Sequence, residues 1–241
     1  MDPQVEAPAS AVTEQIAHHY EVEVKSLLGS EDKVKALKLA MLKVDPGTKL
    51  FSTSKQLNHY FEGGNLEALA ESVAYRCLSE EKCLNFVDVA KKAKTFSVRT
   101  RQKDGAVFFV VKASVDDGTS ENGVSRIEFE ENVTIPLDAL DSLILGSGFT
   151  YQAKWSRERE EYSCKGVTVC IDKNAGYGYL AEFERVVDHP SKIPTARDEV
   201  RALMHELDVE ELPQDRLERM FKFYNAHWEE YYGTDKTFSI D

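Results

Sequence analysis

The stretch Glu21-Val22-Glu23-Val24-Lys25 decides the fold. Charge alternates with valine at a period of two, so an extended chain places Glu21, Glu23 and Lys25 on one face and Val22 and Val24 on the other. Standing alone, such a strand would bury its valines and leave its charges in water. The device recurs, however, in Phe96-Ser-Val-Arg99-Thr-Arg101, Arg126-Ile-Glu128-Phe-Glu130 and Leu180-Ala-Glu182-Phe-Glu184. Charged faces of both signs on four strands predict a sheet closed round a polar interior, with its apolar side turned outward.

Composition sets the outer limits. A chain of 241 residues, 42% of them hydrophobic, can bury a substantial core in one large domain or one and a half. No apolar stretch approaches the ~18 residues of a membrane span, so no membrane partner is expected. Residues 1–15 read as a polar, proline-bearing, disordered lead-in unlike a signal peptide. Cys77, Cys83, Cys164 and Cys170 lack CxxC spacing, which points to a reduced, cytoplasmic protein with incidental thiols. A net charge of −12 argues against general nucleic-acid binding. Any polyanion bound here needs a local basic site inside an acidic envelope.

Eight segments read as strands: His18–Leu27, Lys49–Tyr60, Thr95–Gln102, Ala106–Ser114, Val124–Ile135, Phe149–Ser163, Gly166–Lys173 and Gly176–Val187. Tight turns at Lys103-Asp104-Gly105 and Asp172 to Gly176 make neighbours antiparallel. Helical spacing is expected over Glu31–Val44, Leu66–Leu78 and Leu137–Leu145. Beyond residue 190 the pattern is helix only. Thr195 with Asp198 reads as a capping box, and Pro213 opens a second helix with an aromatic stripe at Phe221, Tyr224, Trp228 and Tyr231. The expected organisation is α+β: an eight-stranded antiparallel β tunnel, a closed barrel, over 16–190, with C-terminal helices of 191–241 packed outside it.

These residues resemble the CYTH domain, the triphosphate tunnel metalloenzyme superfamily. Glu21-Val-Glu23-Val-Lys25 matches the ExExK signature. Gln56-Leu-Asn58-His-Tyr60-Phe61 is similar to the Q-x-D-x-YF segment, with Asn58 in place of Asp. Arg99-Thr-Arg101 resembles the RxR pair, and Lys112 the lysine one hairpin later. Arg126-Ile-Glu128-Phe-Glu130 resembles the fifth strand, and Arg157-Glu-Arg159-Glu-Glu-Tyr162 the K-x-R-x-x-Y segment with arginine for lysine. Asp172 with Gly176 to Glu184 is similar to the closing D…G-x-G-x-x-x-E-x-E.

The resemblance implies a metal-dependent hydrolase of tripolyphosphate or a small organic triphosphate. An adenylyl cyclase making cyclic AMP and pyrophosphate, or a non-catalytic polyphosphate- or nucleotide-binding module, are the alternatives. Phosphate recognition needs convergent Lys and Arg, here Lys25, Arg99, Arg101, Lys112, Arg126 and either Lys154 or Arg157 with Arg159. The strand Phe149–Ser163 has polar residues on both faces, so its parity leaves Lys154 and the arginine pair open, and a bulge could bring in both. Mg²⁺ or Mn²⁺ suits the carboxylates of Glu21, Glu23, Glu182 and Glu184, with Glu128, Glu130 and Asp172 for a second ion. Lys112 and Lys25 are the candidate catalytic lysines, Lys112 beside the attacking water or simply on a phosphate. The protein is expected to act as a monomer or homodimer.

Overall fold

The computed structural model describes residues 20–114 and 126–240. Within them lie eight strands: β1 (Tyr20–Leu27), β2 (Lys49–Gly63), β3 (Thr95–Lys103), β4 (Ala106–Ser114), β5 (Arg126–Val133), β6 (Phe149–Cys164), β7 (Val167–Asn174) and β8 (Gly178–Val187). All pair antiparallel in one sheet of order β1-β8-β7-β6-β2-β3-β4-β5. Six helices accompany them: α1 (Glu31–Val44), α2 (Leu66–Cys77), α3 (Glu80–Lys92), α4 (Leu137–Gly146), α5 (Ile193–Glu206) and α6 (Gln214–Tyr231). The architecture is α+β, and no helix among the described residues is long and apolar enough to cross a membrane. The expected lead-in of 1–15 lies outside the described residues.

The barrel expected from the charge pattern is not closed by hydrogen bonds. Among the described residues β1 pairs with β8 and β5 with β4, and no ladder joins β1 to β5. The sheet is an open ribbon bent far enough that Glu21 of β1 and Lys112 of β4 line one cavity.

Apolar residues on the outer face hold that bend. Val24, Val169, Ile171, Ala181 and Phe183 pack under α1 and α5, while Val98, Phe109, Val111 and Phe129 pack under α2, α3 and α4. Phe183 is fully buried, which contributes roughly 1.5–3 kcal/mol. Because the pleat alternates, fixing Phe183 outward obliges Glu182 and Glu184 to face the cavity. The same logic applies to Val24 between Glu23 and Lys25, and to Val98 next to Arg99.

Local chemistry sets the connections. Asp104 (φ 50°) and Gly105 (φ 91°) are both left-handed, the hairpin geometry that joins β3 to β4. Ser30 caps α1 by accepting from the Lys33 amide at 3.3 Å. The capping box expected at Thr195 is not used: a 3-10 turn over Pro190–Lys192 and a second proline at 194 start α5 at Ile193, so Thr195 is already inside the first turn. Helix α3 was not anticipated from the sequence.

Helix α6 departs from the outer layer. It packs with Ala153 and Leu180 of the sheet and Tyr177 of the β7–β8 turn, and Leu180 and Tyr177 also line the cavity. Gly176 has φ +84°, and a Cβ there would come within 2.6 Å of the Tyr224 ring, so only glycine lets α6 approach this closely. A buried chain of hydrogen bonds secures the end of α6. Tyr232 Oη lies 2.6 Å from His59 Nε2, and His59 Nδ1 lies 2.6 Å from Asp141 Oδ2 of α4. Asp141 also accepts from Thr100 and Tyr151, each at 2.7 Å.

Candidate active site

Register brings the charged faces of the strands onto one surface. Across β1 and β8, Glu23 faces Glu184 and Lys25 faces Glu182. Across β2 its polar residues align with arginines on both sides: Gln56 with Arg157, Asn58 with Arg101, Tyr60 with Arg99. The result is a cavity of about 960 Å³ that gathers Glu21, Glu23, Lys25, Arg99, Arg101, Lys112, Arg157, Arg159, Glu182 and Glu184.

The cationic side is heavily braced. Asp172, fully buried, accepts from Arg159 Nε and Nη2, both at 2.7 Å, and from Arg157 Nη1 at 2.9 Å. Gln56 Oε1 accepts from Arg157 Nε at 3.0 Å. Asn58, the departure from the family's aspartate, accepts from Arg101 Nε at 3.1 Å, and Glu130 takes Arg101 Nη1 at 3.1 and 3.3 Å. Tyr60 Oη accepts from Arg99 Nη1 at 3.0 Å. Burial would raise the Tyr60 phenol, yet Arg99, and then Arg157 and Arg101, hold it below its ordinary value. Burial and the like charge of Arg99 push Arg101 down, Glu130 partly opposing. Guanidinium groups crowded in this way are a ready seat for a polyanion.

The acidic side is divided. Glu182 pairs with Arg159 and, at 3.3 Å, with Lys25. Burial raises its carboxyl, but Arg159, Lys25 and Arg157 bring it down to about 2. Glu184, one pleat further along, is pushed up to about 7 by burial and by the charges of Glu21 and Glu182. Carboxylate oxygens of Glu21, Glu23 and Glu184 lie within 4.8 Å of one another. Hard oxygen donors at that separation, one of them reluctant to ionise because it is buried beside charged neighbours, fit a divalent cation such as Mg²⁺ or Mn²⁺.

Several expected residues stand elsewhere. Lys154 leaves the cavity. Its amine lies 4.0 Å from the Tyr151 ring centre, with Trp228 and Tyr232 also about it, while Arg157 and Arg159 of the opposite parity line the cavity. A bulge does occur in β6, between Tyr151 and Ala153, but it precedes Lys154 and does not bring it inside. Asp172 is enclosed by arginines and Glu130 engages Arg101, so these two do not converge on a second cation site. The side chains of Arg126 and Glu128 lie outside the described residues; the ladder sets Arg126 opposite Ser114 and Glu128 opposite Lys112. Gln56, Asn58 and Tyr60 brace the arginines as the Q-x-N-x-YF stretch; Asn174 and Tyr177, also in the lining, carried no sequence signal beyond the D…G-x-G segment.

The site and the sheet together define a class of protein. The CYTH domain profile matches residues 84–216, and the chain belongs to that family, whose members include triphosphatases and adenylyl cyclases. Solved structures repeat the fold. The PH1819 protein of Pyrococcus horikoshii is 21% identical, with 81% of this chain and 94% of that one covered at a TM-score of 0.54. A Vibrio parahaemolyticus protein provisionally named an adenylate cyclase is 14% identical, with 84% of this chain and 98% of that one covered, also at 0.54. At these identities the likeness is one of fold. Among curated proteins no match is found.

Proposed function

We propose that this protein hydrolyses triphosphates with the help of a divalent metal ion. The observation that carries the reading is a single cavity uniting Lys25, Arg99, Arg101, Lys112, Arg157 and Arg159 with a separate carboxylate trio, Glu21, Glu23 and Glu184. A triphosphate carries about four negative charges, and two of the arginines can fork onto its oxygens. The carboxylate trio would hold the metal, which when bound supplies charge neutralisation on phosphate oxygens. The remaining work falls to the chain. Arg99 and Arg101 bind the inner phosphates, Asp172 keeps Arg157 and Arg159 aimed, and Lys112 orients the attacking water or accepts its proton. Water adds to the terminal phosphorus, the phosphoanhydride P–O bond breaks, and orthophosphate and the shortened diphosphate leave with one proton released.

The test is direct. The purified chain is incubated with tripolyphosphate, ATP and thiamine triphosphate in Mg²⁺ and in Mn²⁺, and phosphate, pyrophosphate and cyclic AMP are assayed separately. Phosphate release is expected. Cyclic AMP with pyrophosphate would make it a cyclase, and binding without turnover would make it a binding module. For Lys112→Ala, a loss confined to kcat together with loss of the acidic limb of the pH–rate profile marks the base. A rise in KM with an intact profile marks a phosphate ligand instead.

A further inference from the structure

Toward α6 the lining of the cavity changes from charged to aromatic. Trp155 and Leu180 come from the sheet, Tyr177 from the turn between β7 and β8, and Leu217 and Phe221 from the helix. The indole of Trp155 lies nearly parallel to the rings of Tyr224 and Phe221, with centroids at 3.7 and 5.7 Å and interplanar angles of 19°. Phe221 nevertheless remains 43% exposed. Tyr177 meets Trp155 edge-on at 5.0 Å, with the rings of Tyr224 and Phe238 at 5.7 and 5.4 Å. That Oη is buried and has no hydrogen-bond partner, on a side chain only 8% exposed. Asn174 Nδ2 is likewise buried and without a partner; its residue lies opposite Arg157 in the ladder, at the junction between the charged and aromatic parts.

Buried polar atoms are nearly always satisfied, and a side chain packed this well could have been phenylalanine at no cost to the fold. A cavity of about 960 Å³ is also at the upper end of the ~300–1,000 Å³ that organic ligands fill. Inorganic tripolyphosphate would occupy the arginine end and set nothing against Trp155, Leu217 and Phe221. We propose that the α6 end is the seat of a planar heteroaromatic base, stacked on the Trp155–Phe221 wall and hydrogen-bonded to Tyr177 Oη, so that the substrate is an organic triphosphate ester. This rests on the triphosphate reading above and narrows it.

Calorimetric titration of the whole chain in EDTA, where metal-dependent turnover is off, compares tripolyphosphate, ATP and thiamine triphosphate. At least one ester binds tenfold or more tightly than tripolyphosphate, and which one identifies the base. Phe221→Ala and Tyr177→Phe each lower that ester-to-tripolyphosphate ratio by about three- to tenfold, the order expected of base stacking and one hydrogen bond. Tyr177→Phe also leaves the melting temperature of the free protein unchanged or raised, because an unsatisfied hydroxyl is removed. Tripolyphosphate binding as tightly as both esters, or a ratio unmoved in both variants, overturns the base seat and leaves the triphosphate reading standing. A fall in melting temperature for Tyr177→Phe would mean that the hydroxyl serves the fold and also overturns it. If none of the three ligands binds, both readings fail together.

Discussion

The two walls of the cavity use the same kinds of residue at the same spacing and reach opposite electrostatic outcomes. Over β6 and β7, Arg157 and Arg159 are matched by Asp172 and by Glu182 of β8, each already paired. At the β1–β8 edge, Glu21, Glu23 and Glu184 face one another. Glu182 and Glu184 sit two residues apart on one strand, yet one carboxyl is held down to about 2 and the other pushed up to about 7. Burial raises both; at Glu182 the charges of Arg159, Lys25 and Arg157 outweigh it, whereas at Glu184 those of Glu21 and Glu182 add to it. One wall is complete as folded; at the other Glu23 pairs with Lys25, and the trio as a whole would suit a cation.

Breaking the complete wall should cost most. Asp172→Asn leaves the buried Arg159 and the half-buried Arg157 without their shared carboxylate, and a loss of about 3–5 kcal/mol in urea denaturation is expected. A loss below about 1 kcal/mol would mean that the wall does not depend on its internal pairing. Supplying the missing cation comes next. Mn²⁺ at a hundred times its Kd should stabilise the protein by about 2.7 kcal/mol, and chelation should remove this. Glu21→Gln and Glu184→Gln should each reduce the Mn²⁺-dependent rise in melting temperature, and a full rise in both would take the metal away from this edge.

The pH dependence sharpens the contrast further. Glu184 has a folded pKa above its unfolded value, so its stabilising contribution is complete below about 4.5 and is lost as pH climbs to about 7. In EDTA, Glu184→Gln should therefore gain on the parent protein across that window. Allowing for solvent screening, the gain should plateau at roughly 1–2 kcal/mol. A gain already present at pH 4 would contradict the assignment. The smallest effect is the control: Lys55 and Glu158 pair at 2.8 Å with side chains 81% and 57% exposed, and Lys55→Ala should leave the urea midpoint unmoved within error.

Much of this was legible in the sequence where alternation was strict. Glu21 to Lys25, Arg99 to Arg101 and Leu180 to Glu184 announced a polar face and an apolar one, and the sheet obeys them. Helix α3 was not legible because its buried stripe of Cys83, Phe86, Val89 and Ala90 is blurred by Leu84, which is apolar yet 65% exposed. The parity of β6 was ambiguous because Lys154 and Arg157 are equally plausible as phosphate ligands until the ladder with β2 is known. Nothing in a carboxylate distinguishes Asp172, enclosed by arginines, from Glu184, crowded by acids; only cross-strand neighbours do. Tyr177 gave no signal because burial of a phenol without a partner is a property of packing.

Among the described residues no ladder joins β1 to β5, which makes the molecule a spring clip rather than a pipe. Glu21 and Glu23 ride on one jaw, Lys112 close to the other, and no rung among the described residues fixes the gap between them. The rest width of that gap is set by how tightly the outer helices bend the ribbon. A ligand that grips both jaws at once would act as the absent rung, turning an elastic opening into a rigid hoop. Slower hydrogen exchange along β1 and β5 on binding would be the mechanical signature of that closure.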